Sequence, residues 1–334
     1  MDRYLLAIPF RGLARVVAAS FALAAACAPG AAGEPLRLEA KIPLGQVNGR
    51  IDHMAFDTAR KRLFVAELGN DSVGVVDVEA RQVVHRITGL HHPQGVGYLP
   101  ALDLLFVANA TDGSVRLFGG PQYADAGRLD LGADADNVRI DAAANRVLVG
   151  YGSGAIATID PASRRNVLDL PLAAHPESFQ LDAGSHRVYA NLPDTKAIAV
   201  IDPATHKATN WPMQAGGNFP MTLRPAAQHV VVVFRRPAKL GVFAMADGAS
   251  VASPDTCGDS DDVFDDAKRD RVYVSCGDGS IDVFDGKDYR RLARISTVAG
   301  ARTSLFVPEA DRLFVAVRAS WSEPAAIWVF APGS

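Results

Sequence analysis

The stretch RLFVAELGNDSVGVVD (Arg62 to Asp77) sets two apolar, valine-rich runs on either side of the turn-forming LGND. Its first run returns along the chain as LLFVA at Leu104, RVLVG at Arg146, RVYAN at Arg187, HVVVV at His229, RVYVS at Arg271 and RLFVA at Arg312. Successive copies start 42, 42, 41, 42, 42 and 41 residues apart, a regularity that only a repeated structural unit produces. In the first copy HMAFD, RLFVA, SVGVVD and QVVHRI read as four strands, β-branched and alternating, with Gly, Asn and Asp turns between them. Four strands per 42 residues make a β-propeller blade. The sequence therefore predicts an all-β, seven-bladed β-propeller of four-stranded antiparallel blades.

Closing such a ring makes a further demand, because an open ring leaves unpaired strand edges. The seventh copy ends at its third strand, AAIWVF, and LRLEAKIPL (Leu36 to Leu44) precedes the first copy without a place in it. This N-terminal strand is expected to complete the last blade and zip the ring by main-chain hydrogen bonds.

The first residues follow another logic. Arg3, Arg11 and Arg15 precede the apolar run VVAASFALAAAC (Val16 to Cys27) and then the small residues APGAAG. This is the pattern of a secretory signal, and the run is too short to span a bilayer core, which takes about 20 apolar residues. Residues 1–32 are expected to be a signal peptide cut after Ala32 or Gly33, leaving 33–334 as a single propeller domain, periplasmic or secreted, with no transmembrane span. The alternative is an outer-membrane lipoprotein with a lipid anchor at Cys27, against which Ala24 stands where leucine is usual. Removal of residues 1–32, which carry three arginines and Asp2, takes the formal charge from −3 to −5. A mildly acidic chain has no general attraction for nucleic acid.

Stretches such as LFVAELGNDSVGVVDVEARQVVHRI and VYANLPDTKAIAVIDPATHKATNW resemble the YVTN-repeat, WD-repeat-like β-propeller family of exported bacterial proteins, over the whole of residues 33–334. The copies depart from that pattern in keeping the anchor's final asparagine only as Asn109 and Asn191, and the fifth copy lacks the acidic turn after its third strand. The resemblance implies the fold. It spreads function over surface proteins, a DNA-binding periplasmic member, lactonases and quinoprotein-like oxidoreductases.

Aligned copies separate residues that repeat from residues that do not. Asp57, Asp141, Asp182 and Asp266 recur between first and second strands, and Asp77, Asp160, Asp202 and Asp285 after the third; both sets read as turn carboxylates accepting backbone N–H bonds. Met54/Phe56, Val138/Ile140, Phe179/Leu181 and Met221/Leu223 read as packing between blades. Around the channel mouth the alignment instead places a different pair on each blade: Asp52/His53, Gln94/Gly95, Asp136/Asn137, Glu177/Ser178, Phe219/Pro220, Asp261/Asp262 and Arg302/Thr303. His91, His92, His175, Asn218 and Asp259 flank them.

The candidate ligand-binding residues are thus Asp52, His53, His92, Gln94, Asn137, Glu177, Ser178, Asn218, Asp261, Asp262 and Arg302. A small molecule or a protein partner at this mouth is the leading expectation. A divalent metal held by His53 and Asp262 would make the same mouth a lactonase- or lyase-type site, with Glu177 as a further ligand or base and Arg302 clamping an anion. Single-stranded DNA binding is the third alternative, disfavoured by the negative charge.

Named motifs add little. GYGSGA (Gly150 to Ala155) runs into the strand IATID, where a dinucleotide fingerprint needs a helix. Within DSDDVFDD, Val263 and Phe264 stand where an EF-hand loop requires an oxygen ligand and a glycine. Asp265 and Asp270 read as solvated or turn-local. Cys257 and Cys276 are the two cysteines left after residue 32, placed by the alignment at one end of the sixth blade, and a disulfide between them is expected in an oxidising compartment. A soft-metal site of Cys257, Cys276 and Asp259 is the alternative.

Overall fold

The computed structural model describes Met1, residues 34–202 and residues 204–333. The chain divides into two units, Met1–Gly33 and Glu34–Ser334, and the second is a seven-bladed β-propeller. The expected signal peptide, residues 1–32, and the alternative anchor Cys27 lie outside the described residues. Among the described residues no helix is long and apolar enough to cross a membrane.

Strand β1 (Leu36–Pro43) stands first in the chain, and blade 1 follows as β2 (Met54–Asp57), β3 (Arg62–Glu67), β4 (Ser72–Asp77) and β5 (Gln82–Thr88). Blade 2 runs β6 (Pro93–Leu99), β7 (Leu104–Asn109), β8 (Ser114–Gly119) and β9 (Ala124–Asp130); blade 3 runs β10 (Val138–Asp141), β11 (Arg146–Tyr151), β12 (Ala155–Asp160) and β13 (Arg165–Pro171). Blade 4 has β14 (Ser178–Leu181), β15 (Val188–Leu192), β16 (Ala197–Ile201) and β17 (Ala208–Pro212), and blade 5 has β18 (Gly216–Arg224), β19 (His229–Arg236), β20 (Ala238–Ala244) and β21 (Ser250–Ala252). Blade 6 comprises β22 (Ser260–Asp266), β23 (Arg271–Cys276), β24 (Ser280–Asp285) and β25 (Arg291–Ser296). Blade 7 comprises β26 (Ser304–Val307), β27 (Arg312–Val317) and β28 (Ala326–Pro332).

The fourth strand of blade 7 is β1, paired antiparallel with β28 from Leu36↔Pro332 to Pro43↔Ala326. The ring is closed as the sequence predicts, by main-chain bonds between segments almost 300 residues apart in the chain.

Period-two alternation fills the spaces between blades. Along β3, Leu63 and Val65 face blade 7 with Phe314 and Ile327, while Phe64 and Ala66 face blade 2 with Tyr98 and Leu105. Seven apolar clusters result, one at each blade-to-blade interface. Met54, Val138, Phe179 and Met221 are buried in them, as their alternation implies. Burial on both faces explains why the second strands read as nearly continuous apolar runs.

The recurring aspartates take their expected turns. Asp57 Oδ1 accepts the N–H groups of Ala59 at 2.9 Å and Arg60 at 3.1 Å, and Asp160 and Asp202 accept pairs of N–H groups in the same way. Asp265 and Asp270 depart from expectation. Both hold the buried Arg224 across the junction of blades 5 and 6, a contact between residues some 40 positions apart that no local pattern reveals.

Cys257 and Cys276 form a disulfide with Cα atoms 5.9 Å apart. Cys276 is the buried last residue of β23 rather than part of the following turn, so the bond fastens the segment leading into β22 to the strand beside it. The paired sulfurs exclude the soft-metal alternative, and Asp259 is engaged elsewhere.

Candidate functional site

The first strand of every blade lines a central cavity of about 360 Å³, adjoined at one end by a mouth of about 190 Å³. The mismatched pairs of the alignment sit where these strands begin, and there the ladder is irregular. Register shifts separate Pro93 from Val96, Asn218 from Met221 and Ser260 from Asp262. On blade 1 the ladder runs on past β2 through Asp52 N–H to the Ala66 carbonyl and Ala66 N–H to the His53 carbonyl. Bulges of this kind re-aim side chains.

The two members of each pair consequently do different things. Six of the seven first members, Gln94, Asp136, Glu177, Phe219, Asp261 and Arg302, line the mouth, while the seventh, Asp52, lines the cavity below it. Most second members clasp the next blade. Asn137 Nδ2 donates to the Glu177 carbonyl at 2.7 Å, Ser178 Oγ to the Phe219 carbonyl at 2.5 Å and Thr303 Oγ1 to the Ile51 carbonyl at 3.3 Å. Asp262 Oδ2 accepts the Ser304 N–H at 2.7 Å. In blade 2 the second member is Gly95, and a Cβ there would lie 1.9 Å from the Asp136 carbonyl oxygen, so only glycine allows blades 2 and 3 to approach.

His53 is the second member that faces other charged side chains. Its Nε2 lies 4.0 Å from Asp52 Oδ1 and 3.9 Å from Asp136 Oδ1, with about a fifth (21%) of its side chain open to the cavity. Burial alone would lower its pKa, but Asp52, Asp262 and Asp136 outweigh burial and raise it. Asp262 rises to about 7, chiefly through burial, with His53 acting against the rise. Burial likewise raises Asp52 and Glu177, the latter helped by Asp136. His175, whose Nδ1 is 2.6 Å from the Gly152 carbonyl, would be lowered by burial; the Asp136 carboxylate, that carbonyl and Asp134 lift it instead to about 9.

Three expectations need correcting. His92 lines neither the cavity nor the mouth: it is exposed, with Nδ1 2.9 Å from Thr111 Oγ1, because the turn holding it faces the preceding blade. Asn218 is fully buried, donating to the Ala197 carbonyl at 2.9 Å and to Asn191 Oδ1 at 3.3 Å, so it joins blades 4 and 5. Arg302 does line the mouth, yet it is no free anion clamp. Its Nη1 lies 2.7 Å from Asp259 Oδ1 and its Nε 2.9 Å from Asp261 Oδ2, and Arg235 shares Asp261.

The divalent-metal expectation meets a geometric obstacle. Among the described residues the three-ligand grouping within 4.8 Å is Cys257, Cys276 and Asp278, two of which are the disulfide. His53, Glu177 and Asp262 do not converge on a common point, so the donors in the cavity do not fit a bound divalent ion.

Residues that the alignment passed over complete the site. Arg50, Nη2 2.9 Å from Asp52 Oδ2, and Arg235, stacked with Cζ 3.8 Å from the Phe219 ring centroid, belong to the mouth. Below them a deeper tier consists of Ala55, Gly97, Arg139, Gln180, Thr222, Phe264 and Leu305, one residue from each blade and all lining the cavity. Each lies two positions after the second member of its pair, so alternation along the inner strand was the signal that could have found them.

No family model matches the chain, and no curated protein matches it. Solved structures do, 1720 chains of them, too many for the likeness to single out one activity. One is the hydrazine synthase of Kuenenia stuttgartiensis, at 15% identity and a TM-score of 0.73, covering 84% of this chain and 97% of the matched one. Likeness at that identity is likeness of fold, and the fold it supports is the β-propeller.

Proposed function

We propose that this chain is an exported propeller of the YVTN-repeat type that binds a small polar molecule in its central cavity, through the mouth, without covalent chemistry. The observation that carries this reading is Asp136. The residue is 8% exposed, and its Oδ1, 3.9 Å from His53 Nε2, is buried with no hydrogen-bond partner among the described residues, on the wall between mouth and cavity. A buried acceptor left unpaired costs about 1–3 kcal/mol, which a donor on a ligand recovers. A cavity of about 360 Å³ falls within the range of small-molecule sites.

Export is supported by the Arg-then-apolar pattern of residues 1–32 and by the Cys257–Cys276 disulfide, which suits an oxidising compartment. The metal-assisted lactonase or lyase alternative lacks converging ligands, and single-stranded DNA would meet a mouth whose arginines are offset by Asp134, Asp136, Glu177 and Asp261.

The test is a thermal-shift and calorimetry panel of sugars, lactones, quinones, amines, amino acids and oligonucleotides on the exported chain. A hit is expected to disappear in Asp136→Asn and weaken in His53→Ala. Hits that survive both substitutions at full strength would place binding elsewhere and overturn the reading.

A further inference from the structure

Among the charged side chains of the cavity, most cations are already matched. Arg50 meets Asp52 at 2.9 Å, Arg302 meets Asp259 and Asp261, and Arg235 meets Asp261. Arg139 is different. Its hydrogen bond goes to the carbonyl of its neighbour Val138 at 2.9 Å, its guanidinium lies 5.6 Å from the Phe179 ring centroid, and no carboxylate among the described residues comes within 4.0 Å of it. Nearer the mouth, Glu177 has no ion pair among the described residues; Asp136 stands 3.9 Å from both His53 Nε2 and His175 Nε2, and its Oδ1 accepts no hydrogen bond among them. One cation with no carboxylate in contact, acted on from farther off by Asp262 and Asp136, therefore stands in the deep tier, and a carboxylate without an ion pair, Glu177, stands above it beside the open Oδ1 of Asp136.

The rest of the deep tier is graded. Gln180 and Thr222 continue from Arg139 with polar groups, Phe264 and Leu305 form an apolar arc, and Ala55 and Gly97 leave room. The charge of the whole lining is also close to balance. Six carboxylates face four guanidiniums and two imidazoles; both imidazoles have raised pKa values, and so do three of the carboxylates, Asp52, Glu177 and Asp262. A ligand with net charge would leave a buried excess, which is costly.

Resting on the cavity as the binding site, we propose that its ligand is a zwitterion: an ammonium group held by Glu177 and Asp136 at the mouth, and a carboxylate held by Arg139 in the deep tier. The planar guanidinium suits a carboxylate bidentately. The apolar arc covers the carbon chain between the two charged ends.

Matched probes test this on the full exported chain by calorimetry: ω-amino acids from glycine to 8-aminooctanoate, the n-alkylamines of the same lengths and the corresponding alkanoates. One ω-amino acid is expected to bind about tenfold or more tightly than both its amine and its alkanoate. Arg139→Met should erase its advantage over the amine, and Glu177→Gln its advantage over the alkanoate. Should Arg139→Met fail to fold by circular dichroism, Arg139→Lys, which keeps the charge and loses the fork, should reduce the first advantage. The proposal is overturned if no ω-amino acid exceeds its amine, or if the advantage persists in the Arg139 variant. Sugars or lactones binding with dependence on Asp136 while every ω-amino acid fails would remove the zwitterion and keep the cavity; silence from the whole panel would remove both.

Discussion

The two ends of the innermost strands use the same residue type in opposite ways. At the end away from the mouth, Asp57, Asp141, Asp182 and Asp266 recur on four blades, and each turns back to accept backbone N–H groups within three residues. At the mouth end Asp52, Asp136 and Asp262 are also carboxylates, but Asp52 faces the charged side chains of Arg50 and His53, Asp136 and Asp262 meet groups of other blades, and burial raises Asp52 and Asp262. The first group is satisfied locally and so repeats with the blade. The second is left partly unsatisfied, which the fold tolerates only because the rest of the ring is over-determined.

That contrast can be broken most forcefully by opening the ring. Deleting residues 34–44 removes β1 and exposes the whole of β28; loss of the cooperative melting transition is expected, and an unchanged melting temperature would show that closure does not hold the mouth in place. The next largest effect concerns pH. A carboxyl whose folded pKa lies above its unfolded value makes the folded state the better proton binder, so stability falls as pH rises from the unfolded toward the folded value. For Asp262 the window runs from 3.8 to about 7. At about 1.4 kcal/mol per pH unit the difference reaches a few kcal/mol. Asp262→Asn keeps an acceptor for Ser304 N–H and should flatten the stability profile across that window, leaving the smaller slope due to Asp52 and Glu177; a profile as steep as before would mean Asp262 titrates normally.

Smaller effects sharpen the comparison. Replacing Cys257 and Cys276 together by serine should cost about 3 kcal/mol, the chain-entropy value for a short loop. It should also loosen Asp259, which follows Cys257 by two residues and holds Arg302. In native, unreduced protein neither position should react with a thiol reagent. Asp57→Ala, which strands two N–H groups, should lower stability by about 1–3 kcal/mol and leave ligand binding alone. Glu177→Gln should do the reverse, with a melting temperature within a degree or so of the parent and a lost or weakened ligand response. A fall in stability equal to that of Asp57→Ala would erase the distinction between the two ends.

Most of the fold was legible because a blade is a local object. Strand, turn, strand is encoded within about 42 residues, and the same two-faced environment selects the same residues seven times. The missing fourth strand of blade 7 was legible for a related reason, since a ring with one edge open has an obvious vacancy and Leu36 to Leu44 had no other partner. The site was legible only in part. Failure to repeat marked Asp52, His53, Glu177 and Asp261 correctly as cavity or mouth residues, but it marked His92 and Asn218 by the same rule. Departure from a repeat says that a residue has its own partner. It does not say whether that partner is the next blade or a ligand.

The amino-acid sequence by itself determined the blade count, the closing strand and the turn carboxylates, because each rests on contacts that are local or on a count that must close. Only the tertiary structure decided that Arg302 is neutralised, that Asn218 is a clasp, that Asp265 and Asp270 hold Arg224, and that Arg139 stands in the cavity with no carboxylate in contact among the described residues. Those outcomes depend on side chains of different blades converging around one axis, where the distance to the nearest opposite charge or polar group, which no repeat encodes, settles whether a group is already satisfied or remains available.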